Sequence, residues 1–72
     1  MIAKDALFEL KHGHRIAHRG IVTPDGHITY LMDFDKNDIE VTQRKGKETN
    51  RWHITKDYFL ESSKDCDFEI YD

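Results

Sequence analysis

Seventy-two residues with a formal net charge of −3 and one cysteine leave room for a single domain, residues 1–72, and exclude an internal disulfide framework. No apolar run has the length of a membrane helix or the form of a secretory leader, so a soluble cytoplasmic chain with reduced Cys66 is expected. Mild acidity argues against nucleic acid or a membrane as partner, and a core this small rarely supplies more than about 3–5 kcal/mol, which points to a homo-oligomer.

Ala3, Ala6, Leu7 and Leu10 follow the i, i+3, i+4, i+7 rhythm of one helix face. Lys11 and His12 suit the last turn, and Gly13 closes it. From His14 to Gly20 the period becomes two. His14, Ile16 and His18 alternate with Arg15, Ala17 and Arg19, which predicts a strand leaving the helix directly. Thr23-Pro24-Asp25-Gly26 is the clearest turn in the chain.

His27 to Phe34 is the strongest strand, with Ile28, Tyr30, Met32 and Phe34 on one face, and is predicted to be central in the sheet. Asp35 to Asp38 make a polar turn. Ile39, Val41 and Gln43 then alternate with Glu40 and Thr42 as a third, antiparallel strand with one face in water. Arg44 to Asn50 contains no apolar residue and reads as a loop. Trp52 and Ile54 form a short extended piece, Thr55 caps a brief helix carrying Tyr58, Phe59 and Leu60, and Ser62 and Ser63 stop it. Cys66, Phe68 and Ile70 make the last strand. The sum is an α+β fold: an N-terminal helix on a four- to five-stranded, mostly antiparallel sheet, with a second short helix before the last strand.

The chain carries no glycine-rich phosphate loop, no nucleophile motif around Ser62 or Ser63 and no carboxylate pair that spacing alone brings together, so neither an enzyme nor a cofactor is expected. Cys66 is read as a small hydrophobe rather than a thiol paired with His53. His12, His14 and His18 are loosely spaced and interleaved with Arg15 and Arg19, which suits a polar strand face better than a metal set. The basic cluster Arg44, Lys45, Lys47 and Arg51 is either a solvated hairpin loop or an anion contact, to phosphate or to the acidic tail of another copy. Trp52, beside His53 and that cluster, is suited to a core or subunit contact, or to stacking on a flat ring. Tyr30, Phe34 and Phe8 are read as core residues first.

Two stretches carry a resemblance. Ala6-Leu7-Phe8-Glu9-Leu10-Lys11-His12-Gly13-His14-Arg15-Ile16-Ala17-His18-Arg19-Gly20 resembles an EAL-x-x-L-K-x-G-K-x-V-x-R-x-G-W opening, while Trp52-His53-Ile54-Thr55 and Asp67-Phe68-Glu69-Ile70 resemble W-x-P-T and D-W-E-I elements. These patterns are those of the Thoeris anti-defence two family of small phage proteins. The match covers both ends of the chain and leaves the middle unmatched. Ile21 and Phe68 stand where the family has tryptophans, His18 where it has arginine, and Ile54 where it has proline.

The resemblance implies a helix with an antiparallel sheet, a homo-oligomer, a host-cytoplasmic location and a non-catalytic role: sequestering a cyclic ADP-ribose-like or cyclic nucleotide immune signal at a subunit interface. Carried over by position, His18, Trp52 and Thr55 are ligand-binding residues; Arg19 and Phe8 join them as physical neighbours. Trp52 would stack on the base, Arg19 and protonated His18 would meet phosphate, and Thr55 would bond a ribose hydroxyl. Two rival readings stand beside it. The first is a small acidic phage protein that binds a host protein through Asp65, Asp67, Glu69 and Asp72. The second is RNA binding through Trp52, Arg44, Lys45, Lys47 and Arg51.

Overall fold

The computed structural model describes residues 1–19 and 26–72. Two helices and five strands follow in the order α1 (Ala3–Lys11), β1 (Ile16–His18), β2 (Gly26–Asp33), β3 (Asp38–Lys45), β4 (Glu48–Ile54), α2 (Lys56–Ser62) and β5 (Phe68–Ile70). The strands form one sheet, ordered β4-β3-β2-β1-β5, and every neighbouring pair is antiparallel. The expected α+β architecture is therefore the one observed, with β2 at the centre of the sheet.

Helix α1 buries the four apolar residues that its periodicity selects, Ala3, Ala6, Leu7 and Leu10. It ends where expected: Gly13 adopts a left-handed φ of 87°, which a side chain would resist, and its N–H reaches back to the Leu10 carbonyl. Helix α2 starts at Thr55, whose hydroxyl accepts the Tyr58 N–H at 3.0 Å. Both helices lie on one face of the sheet, because Ile16, Tyr30, Met32, Ile39, Val41 and Phe68 all present apolar side chains there. At the centre, the rings of Tyr30, Phe59 and Phe68 meet with centroids 5.2–6.0 Å apart.

Three expectations need correction. Arg44 to Asn50 is not a loop but the closing end of a hairpin: β3 runs on to Lys45, β4 begins at Glu48, and only Gly46 and Lys47 turn the chain. Gly46, with φ of 60°, takes the first corner of that two-residue turn, where a positive φ matches strand twist. The ladder here rests on backbone pairing, from Gln43↔Asn50 to Lys45↔Glu48, and is polar on both faces, so no apolar alternation marks it. Phe34 lies beyond the end of β2 and is 65% exposed, and Phe8 points away from the sheet and is 60% exposed; neither is a core residue. Cys66 packs against the core as expected of a small hydrophobe, but sits before β5 rather than within it. The Thr23–Gly26 turn reading and the Ile21 departure fall largely on residues 20–25, outside the described residues.

Candidate functional site

The helices cover one face of the sheet and leave the other open. By strand alternation, the open face carries Arg15 and Ala17 from β1 and its entry, His27, Thr29, Leu31 and Asp33 from β2, Asp38, Glu40, Thr42 and Arg44 from β3, and Thr49, Arg51 and His53 from β4. Arg44 and Arg51 lie toward the Gly26 end of β2, where the Arg15 side chain reaches to join them, and Asp33, Asp38 and Glu40 lie toward the Asp33 end; Glu69 of β5, paired with Ala17, also falls on this face.

At the cationic end, Arg15, His27, Thr29, Thr42, Arg44, Thr49, Arg51 and Tyr71 line a shallow hollow of about 330 Å³. Arg15 donates from Nη1 to the Thr29 hydroxyl at 3.2 Å, which lays its side chain across β2 and helps bury Thr29. Among the described residues, no carboxylate lies within salt-bridge reach of the Arg15 or Arg44 guanidinium, and Arg51 only grazes Glu40 at 4.0 Å. Tyr71 lies against His27, with ring centroids 5.5 Å apart. Nδ1 of His27 is the one buried side-chain nitrogen or oxygen among the described residues that lacks a hydrogen-bond partner. Such a group costs about 1–3 kcal/mol unless something meets it.

At the other end, His53 stands among three carboxylates. Its Nδ1 is 2.9 Å from Asp38 and 3.9 Å from Asp33, and its Nε2 is 3.9 Å from Glu40.

The five residues selected from the sequence do not meet within one protomer. Trp52 sits on edge strand β4, 41% exposed, on the helix-bearing face. His18 is on that face of β1, three strand spacings away, or about 14 Å at the usual 4.8 Å between strands. His18 bonds the Tyr30 hydroxyl at 2.9 Å and packs on Phe68 with centroids 4.8 Å apart. Burial pushes its pKa below the usual histidine value and favours the uncharged ring. Arg19 pairs with Asp67 at 3.1 Å, the Thr55 hydroxyl is engaged as a helix cap, and Phe8 stacks on His12 over the outer side of α1. A smaller hollow of about 230 Å³ at the Gly26 end of the sheet is lined by His18, Ile28 and Gln43 among others; of the five, only His18 reaches it.

The histidine trio is dispersed: His12 meets the Phe8 carbonyl, His14 meets Asp72, and His18 meets Tyr30. What sequence reading overlooked is the open face. Arg44 and Arg51 were visible as part of a basic cluster, but Arg15, Thr29 and Tyr71 join them only through strand register. Asp33, Asp38 and His53 come from three strands, and no spacing along the chain announces them.

Comparison with family models, with characterised proteins and with solved structures returns no match. The open face therefore stands on its own chemistry.

Proposed function

We propose that the protein is a non-catalytic binder of a phosphate-bearing, nucleotide-class ligand held on the uncovered face of its sheet. The observation that carries this reading is the convergence of Arg15, Arg44 and Arg51 on one hollow that is also lined by three threonines, Tyr71 and His27. Guanidinium forks match phosphate oxygens in pairs, a tyrosine ring offers a flat surface to a base, and threonine hydroxyls suit a ribose.

A volume near 330 Å³ lies at the lower end of the 300–1,000 Å³ typical of ligand pockets, and a sheet face covers a ligand on one side only. A second copy would supply the opposite wall, so a homo-oligomer belongs to the proposal. Sequestration of a cyclic ADP-ribose-like or cyclic nucleotide immune signal, as a phage anti-defence protein would perform it, is the use that the resemblance adds. The acidic-tail reading has less to draw on: Asp67 is bound by the Met1 amine and Arg19, and Asp72 by His14 and the Arg15 N–H.

The test is thermal denaturation with a panel of cyclic ADP-ribose isomers, cyclic mononucleotides and cyclic dinucleotides. At a hundredfold excess over Kd, binding adds about 2.7 kcal/mol, which raises Tm by on the order of 10 °C in a domain of this size. Arg44→Ala and Arg51→Ala each remove charge-assisted bonds worth about 1.5–3 kcal/mol, or roughly 10- to 150-fold in affinity. A panel that leaves Tm unchanged throughout would refute the proposal. A protein held only by RNA, with affinity falling steeply as salt rises, would replace it with the RNA reading.

A further inference from the structure

We propose that Asp33, Asp38 and His53 form a binding site for a divalent transition-metal ion of the zinc class, at the carboxylate end of the open face. The inference stands whether or not the arginine end holds a nucleotide, because no residue is shared between the two groups.

Three strands build the site. Asp33 ends β2, Asp38 begins β3, and His53 lies near the end of β4. One donor atom from each falls within 4.8 Å of the others. Two ligands of a tetrahedral ion at about 2.0–2.1 Å lie about 3.4 Å apart. The separations from His53 Nδ1, 2.9 Å to Asp38 and 3.9 Å to Asp33, bracket that value to within about half an ångström each.

Two further features set this group apart from an ordinary patch of surface acid. Asp33 and Asp38 are direct cross-strand partners. Like charges so placed repel, and among the described residues no lysine or arginine nitrogen lies within salt-bridge reach of either. The nearest lysine on the following helix, Lys56, is bonded to Asn37 instead. Among the described residues the imidazole is the only ionisable nitrogen within reach of the two carboxylates, and a dication would answer them far better.

The second feature is Glu40. It sits 3.9 Å from Nε2, on the side of the ring opposite the two aspartates. A metal-bound histidine commonly presents its other ring N–H to a carboxylate, which fixes the tautomer and raises ligand basicity. Asp33 is oriented in a similar way: its Oδ1 accepts the Asp35 and Lys36 N–H groups at 3.1 Å each, which leaves Oδ2 toward the histidine. One nitrogen and two carboxylate oxygens form a borderline donor set that suits zinc better than calcium or magnesium, which prefer oxygen alone.

The experiment titrates the intact protein with zinc chloride, by calorimetry and by nitrogen NMR of the histidine side chains. The expected result is saturable 1:1 binding that moves the His53 Nδ1 resonance and leaves those of His14 unchanged. Asp38→Asn and His53→Ala should each weaken binding at least tenfold, and Glu40→Gln by 10- to 100-fold, as outer-shell changes do. His14→Ala should bind as the parent does. Circular dichroism of each variant reports folding, and the NMR arm needs no variant. Absence of binding at millimolar zinc, or binding that leaves His53 unmoved, would overturn the site.

Discussion

At the scale of single residues, side chains that meet a defined partner are the ones whose chemistry departs from the ordinary. His14 Nδ1 lies 2.6 Å from the Asp72 carboxylate, and that bond raises its pKa above the usual 6.5. Asp72 moves the other way from its usual 3.8, chiefly because it accepts the Arg15 N–H and then because of His14. The two signs fix a window. A raised histidine contributes stability that is fully present below 6.5 and is lost as pH rises through its folded-state value. A lowered carboxylate contributes stability present above 3.8 and lost as pH falls through its folded-state value. The pair is therefore most effective between those limits. Proton NMR should show His14 titrating above 6.5, and Asp72→Asn should return it toward that value. Titration of His14 at or below 6.5 in the parent protein would contradict the contact.

Elements were legible where side chains alternate in polarity and hidden where they do not. The α1 stripe, its glycine stop, the apolar alternation of β2 from Ile28 to Met32 and the Thr55 cap all sit in local pattern, and the structure places each as the pattern predicts. The cap makes a prediction at this scale. Thr55→Ala removes the hydroxyl that takes the Tyr58 N–H and should cost about 0.5–2 kcal/mol. At 4–8 °C per kcal/mol, thermal denaturation should show a drop in Tm of roughly 2–16 °C. No drop would mean that α2 is held wholly by Phe59, which is fully buried beneath it. The β3–β4 hairpin was not legible, because both its faces are polar beyond Val41 and Trp52 and its order comes from backbone pairing and Gly46. Phe8 and Phe34 misled for the converse reason: an aromatic residue beside an apolar stripe resembles core until the helix phase and the strand end are known.

For the whole molecule, the decisive fact is that both helices pack on the same side of a five-stranded sheet. The core can be read from one strand or helix at a time. The candidate site cannot, since Arg15, Arg44, Arg51 and Tyr71 are separated by up to 56 positions in the chain and come together through pairing of five strands. The same register puts Arg44 and Arg51 toward one end of the open face and Asp33, Asp38 and His53 toward the other. Among the described residues no helix is long and apolar enough to cross a membrane.

Nitrogen–proton correlation NMR of labelled protein titrated with ADP-ribose would locate the ligand directly on this surface. The account predicts saturable shifts at the amides of Arg15, Thr29, Thr42, Arg44 and Arg51, with little change along α1. Shifts confined to the helix side around Phe8 and Leu60, or none at millimolar ligand, would contradict the assignment of the open sheet face as the working surface.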